Sequence, residues 1–156
     1  MYRIAFDRKR DPVRQRALPD RIFFACGACH ILAHAFLQRH PKAGGRAVRQ
    51  KPDAGFTANN VFVADDGWVF GYQGYSEVDR FLARARGKAR RWWQGWSATL
   101  VDLPTKVLVS EAKSLRYDGR WLSEPERLLH DALPRARAFV DRFPTPPPCL
   151  TTLVIS

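Results

Sequence analysis

The chain has 156 residues, 46% hydrophobic and 26% charged, with 26 Lys and Arg against 15 Asp and Glu and a net charge of +11. That is the size and balance of one globular domain with a sizeable core; it excludes a disordered chain, and no apolar run nears the roughly 20 residues that span a bilayer. The charge favours acidic partners, and three cysteines, an odd number, exclude a complete disulfide framework.

In chain order, residues 2–6 read as a short strand and 8–20 as a basic, Pro-punctuated, irregular segment. The Arg-rich start carries no apolar signal core, so the chain is expected to be cytoplasmic, or exported without a visible signal peptide. Helical periodicity predicts a helix over 23–38, with Leu32, Ala33, Phe36 and Leu37 on one face and Pro41 and Gly44-Gly45 ending it. A strand is expected at 47–50. A hairpin follows, 61–64 and 68–72 about the turn Asp65-Asp66-Gly67, apolar on both faces and therefore central in a sheet. Ser76 is the expected cap of a helix reaching Trp93. Residues 99–103, 106–109 and 115–121 read as strands. A third helix is expected from Ser123 to Arg142, kinked or split at Pro134. Residues 145–148 form a polyproline-type linker, and 150–155 an apolar tail. One domain over 1–143 and a Pro-rich tail over 144–156 is the expected organisation.

The stretch Cys26-Gly27-Ala28-Cys29-His30 carries the most chemistry. A thiol attacks as the thiolate, and a helix N-terminus supplies unpaired N–H groups that favour an anion there. The same N–H groups can hold the oxyanion of a tetrahedral intermediate. The spelling also fits C-x-x-C-H haem attachment. Against haem, the only Met is Met1, and His34 lies on the same helix as His30 and could not reach the opposite haem face. Cys26, His30 and His34 are spaced by four, yet the outer two lie about 12 Å apart along a straight helix and no second ligand cluster exists, so no metal site is expected. No cofactor is expected.

Cys26-Gly27-Ala28-Cys29 resembles the nucleophile motif of the papain-like cysteine peptidases, with Cys29 in the nucleophile slot. Asn59-Asn60-Val61-Phe62-Val63-Ala64 is similar to the strand that opens on the family's catalytic His, which puts Asn60 in the His slot. Gln73 is the nearest counterpart of the polar residue that orients that His. Cys26 matches a cysteine often disulfide-bonded in secreted members. The resemblance implies an α+β fold, an antiparallel sheet flanked by helices with the nucleophile at a helix N-terminus, and Cys26, Gly27, Ala28, Asn59 and Trp68 at the contact with a substrate or partner. Three positions depart from the pattern: Phe23 replaces the oxyanion Gln, His30 the aromatic after the nucleophile, and Asn60 the His. An amide cannot accept the thiol proton at neutral pH. Of the other histidines, His130, beside Asp131, is the alternative base to weigh.

The expected function is thus a cysteine hydrolase acting on a peptide or amide bond, in the style of a compact bacterial toxin or effector, impaired by Asn60. The alternative is a non-catalytic papain-like module that binds an acidic protein or nucleic acid through its basic surface. That surface is Arg84, Arg86, Lys88, Arg90 and Arg91. Nucleic acid is the lesser of the two partners, because Trp92 and Trp96 fall on the apolar stripe of the same helix and core packing accounts for them.

Overall fold

The computed structural model describes residues 11–147. The expected strand at 2–6, Cys149 and the tail at 150–155 lie outside the described residues. Three helices open the described chain: α1 (Pro12–Arg16), α2 (Asp20–Ala25) and α3 (Cys29–Arg39). Strands β1 (Arg46–Pro52), β2 (Asn60–Ala64), β3 (Trp68–Gly71) and β4 (Gly74–Glu77) follow, then α4 (Val78–Trp92) and β5 (Ala98–Leu103). Helix α5 (Glu111–Asp118) and α6 (Ala132–Val140) complete it, each preceded by a single 3₁₀ turn, Thr105–Val107 and Pro125–Arg127. The result is an α+β domain with a five-stranded, wholly antiparallel sheet in the order β4-β3-β2-β1-β5.

The expected hairpin is β2–β3, and β2 is the middle strand. Its two faces are both covered, which is why it is apolar on both sides. Val61 and Val63 face α3 in the main core, together with Ile31, Leu32 and Phe36 of that helix and Ala136 and Phe139 of α6. Phe62 and Ala64 face the other way, packing with Val48, Val69 and Phe81 of α4. The Phe36 ring stacks on Phe70 at 4.4 Å and meets Trp68 at 5.7 Å, fixing α3 across the sheet.

Several elements differ from the sequence expectation, each for a local reason. The helix predicted over 23–38 is two helices, α2 and α3, broken at Cys26–Ala28. Gly27 there has φ +131°, a backbone that only glycine adopts readily. The segment predicted as irregular contains α1, capped by the Asp11 carboxylate, which accepts from the amides of Val13 and Arg14. Ser76 is not a helix cap: it lies within β4, and α4 begins at Val78. Residues 106–109 and 115–121 are not strands. Ser110 caps α5 by accepting from the Lys113 amide, and Gly119 (φ +77°) ends it. The third helix shortens to α6, capped by Asp131. Pro134 falls in its first turn, where a missing N–H costs no hydrogen bond, so no kink is needed.

Arg135 ties the helical layer together. Its Nε donates to Asp20 at 2.7 Å, its Nη atoms donate to the carbonyls of Leu18 (2.6 Å) and Arg16 (3.1 Å), and its guanidinium lies 4.1 Å over the Phe23 ring. Arg142 pairs with the same carboxylate. Both cations hold the Asp20 carboxyl below its ordinary range, against a burial that pushes it up. The Pro-rich segment runs along the sheet, where the Tyr75 hydroxyl donates to the Pro144 carbonyl at 2.9 Å. Gly74 (φ +84°) makes that approach feasible: a Cβ there would come within 2.5 Å of the Phe143 ring.

Candidate functional site

Helix α3 is capped by Ala28, whose carbonyl accepts from the amides of Ile31 and Leu32. Cys29 is therefore the first helical residue. The backbone amides of Val61, His30 and Cys29 itself reach the sulfur, and the Arg120 guanidinium acts on it by charge. All four favour the thiolate. Burial acts the other way and outweighs them, so the Cys29 thiol is pushed up and stays protonated at neutral pH. Cys29 is half-buried as a residue, Cys26 and Ala28 are buried, and Gly27 is exposed. Neither Cys26 nor Cys29 is in a disulfide among the described residues.

The sulfur thus meets β2 at Val61, next to the expected partner, Asn60. Strand alternation nevertheless gives Asn60 the face of Phe62, the α4 side of the sheet, away from Cys29. The residue brought to the α3 face is Asn59. Its Oδ1 accepts from Arg49 Nε (3.0 Å) and Nη2 (2.7 Å). Arg49 is in register with Val61 on β2 and Val101 on β5, both of which pack in the α3-side core. Its remaining nitrogen pairs with Asp118, the last residue of α5. Asp118 in turn accepts from the Arg120 amide at 3.2 Å, anchoring the loop that carries Arg120 towards the sulfur. Arg49, Asp118 and Arg120 are the residues the sequence reading missed. The one local signal was Arg49 directly after the apolar pair Ala47-Val48 in a predicted strand.

The other expected participants are elsewhere. Gln73 accepts from Arg84 of α4 at 2.9 Å, on the far side of the sheet from α3. Trp68 is 6% exposed and packs on Phe36 and Tyr75, so it is a core residue and not a contact surface. Phe23 is fully buried beneath Arg135. His130 precedes α6, donates Nδ1–H to the Leu128 carbonyl at 2.9 Å, and packs on Phe23 at 5.8 Å. His30 is buried, and its Nε2–H donates to the Ser123 carbonyl at 2.8 Å; burial brings its pKa down to about 4. His34 and His40 lie further along and past α3, both lowered chiefly by burial. No imidazole is among the groups acting on the Cys29 thiol.

The basic helix is largely as expected, with one difference. Arg80, Arg84, Arg86, Arg90 and Arg91 are exposed and Phe81 and Ala89 buried. Trp96 is 1% exposed, its Nε1–H donating to the Thr57 carbonyl at 2.8 Å, but Trp92 is 52% exposed and does not belong to the core.

Chemically, the site at the α3 terminus sets two N–H groups of the helix, the amide of Val61 from β2 and the charge of Arg120 about a protonated thiol. It offers no base. A cavity of about 460 Å³ lies at the opposite end of α3, between residues 39–44 and 145–147, remote from that thiol. Among the described residues no three His, Cys, Asp or Glu side chains group to hold a metal ion, and no helix is long and apolar enough to cross a membrane. No family model matches this chain, and neither a curated protein nor a solved structure matches it significantly.

Proposed function

We propose that this protein is a non-catalytic, papain-like binding module that recognises an acidic partner through its basic surface. The observation that carries the reading is the Cys29 environment. The thiol keeps its place at a helix N-terminus against a central strand, while the base is missing and burial holds the sulfur protonated. Loss of general-base assistance alone removes about 10²–10⁴-fold from acyl transfer. A thiol at a helix N-terminus without a proton acceptor suits a scaffold that acts by its shape and charge.

The test is the pH dependence of Cys29 alkylation by iodoacetamide, with Cys26 and Cys149 changed to Ser. Slow modification is expected, with an apparent pKa above the free-thiol value of about 8.5. Rapid modification with a pKa well below that value would overturn the reading. It would favour a cysteine hydrolase acting on a peptide or amide bond. One observation speaks for that second reading: the backbone amides of Val61, His30 and Cys29 favour the thiolate, as a nucleophile at a helix N-terminus requires.

A further inference from the structure

Helix α4 carries five arginines and a lysine against one carboxylate, Asp79. Elsewhere several arginines are paired with carboxylates: Arg39 with Asp141, Arg46 with Asp102, Arg49 with Asp118, Arg127 with Glu111, and Arg135 and Arg142 with Asp20, while Arg137 is held by the neutral amide of Gln38. Among the described residues no cation of α4 has a carboxylate within ion-pair distance. Arg84 and Arg90 are held by neutral acceptors, the Gln73 side chain and the Trp96 carbonyl, and so keep their full charge. What sets α4 apart is the clustering: six cations on one helix, none of them in an ion pair among the described residues.

The face is also ordered. Arg80, Arg84, Gly87 and Arg91 succeed one another at steps of four, three and four, which is one stripe of an α-helix. Lys88 and Arg90 flank it on either side. The stripe runs about 16 Å, which is about five nucleotides of one strand at 3.4 Å each. Gly87 sits in the middle. A Cβ there would meet nothing within 4 Å and its φ is ordinary, so the fold has no use for a glycine that weakens the helix. A gap in the side chains between arginines lets a polymer backbone approach the helix closely. Trp92, half exposed, lies beside the stripe on its Lys88 flank. Arginine forks match phosphate oxygens, and an exposed indole offers a base a stacking surface.

We infer that the α4 face is a docking surface for the sugar–phosphate backbone of single-stranded nucleic acid. The inference rests on the binding-module reading and names its partner and its surface. An acidic protein is the competing partner. It fits less well, because a straight single-sign stripe with a bare centre is matched by a continuous line of phosphates, and carboxylates on a folded surface seldom line up in that way.

The test is fluorescence anisotropy with labelled single-stranded DNA and RNA of about 20 nucleotides, over a salt series from about 50 to 200 mM. Binding is expected with a log–log salt slope of about −3, from four or five phosphate contacts at about −0.7 each. Arg80→Gln/Arg84→Gln/Arg91→Gln is expected to weaken binding at least about tenfold and to flatten the slope by about 2. Lys106→Gln/Lys113→Gln/Arg116→Gln removes the same charge from exposed positions off α4 and should change little. Gly87→Gln adds bulk without charge and should weaken binding several-fold while the thermal midpoint holds or rises. Equal loss in both triple variants would overturn the assignment to α4. Absence of binding at low salt would overturn the partner. If poly-glutamate is then bound, the partner is an acidic polypeptide and the module reading stands. Fast alkylation of Cys29 at low pKa would instead strike that reading, whatever the DNA result.

Discussion

Asp118→Ala is expected to lower the unfolding free energy by about 3–5 kcal/mol, the cost of leaving one member of a buried ion pair unmatched. Arg49 and Asp118 have side chains only 7% and 9% exposed. Truncating the carboxylate strands a guanidinium whose other contacts are to the single amide oxygen of Asn59. It also releases the Arg120 amide and with it the turn after α5. The double variant Arg49→Met/Asp118→Leu removes both charges and should recover most of the loss, because burying a pair costs desolvation that an apolar pair avoids. Urea unfolding of the two variants, at unchanged m-value, decides it. A loss under about 1 kcal/mol for Asp118→Ala would mean that water reaches the pair.

The second large effect is acid destabilisation through His30. Its ring is buried and neutral in the folded chain, with a pKa near 4. In the unfolded chain it titrates near 6.5. The folded pKa is the lower one, so the unfolded state binds the proton first. Its contribution is complete above pH 6.5 and is lost as pH falls to about 4, amounting to about 3 kcal/mol. His34 and His40 are lowered too and add in the same direction, less strongly because they are partly exposed. Asp20, also lowered, extends the loss to more acid pH. His30→Gln keeps an N–H to offer the Ser123 carbonyl but cannot titrate. Its stability should therefore vary much less than that of the parent between pH 6.5 and 4, as read from thermal midpoints. An unchanged pH dependence in His30→Gln would place the titration elsewhere.

The features legible in the amino-acid order were local. The periodicity of α3, the β2–β3 hairpin about Asp65-Asp66-Gly67, and the amphipathic α4 could all be read because each is a pattern of burial within a few consecutive residues. Cys29 at a helix N-terminus was legible for the same reason. Boundaries failed where backbone geometry competed with hydrophobic pattern. Gly27 divides one apparent helix into two, and Ser110 with Gly119 makes a helix of residues whose apolar content reads as strand. The candidate site was less legible, because its members come from β1, the start of β2, the N-terminus of α3 and the end of α5. A one-residue difference in strand parity brings Asn59, not Asn60, to the α3 face. Whether a thiol is activated depends on desolvation against four favourable neighbours, a sum over the packed structure. Which arginines are paired was likewise decided by tertiary structure: composition supplies the surplus of cations, but only the fold settles which carboxylates reach them, and among the described residues none pairs with a cation of α4.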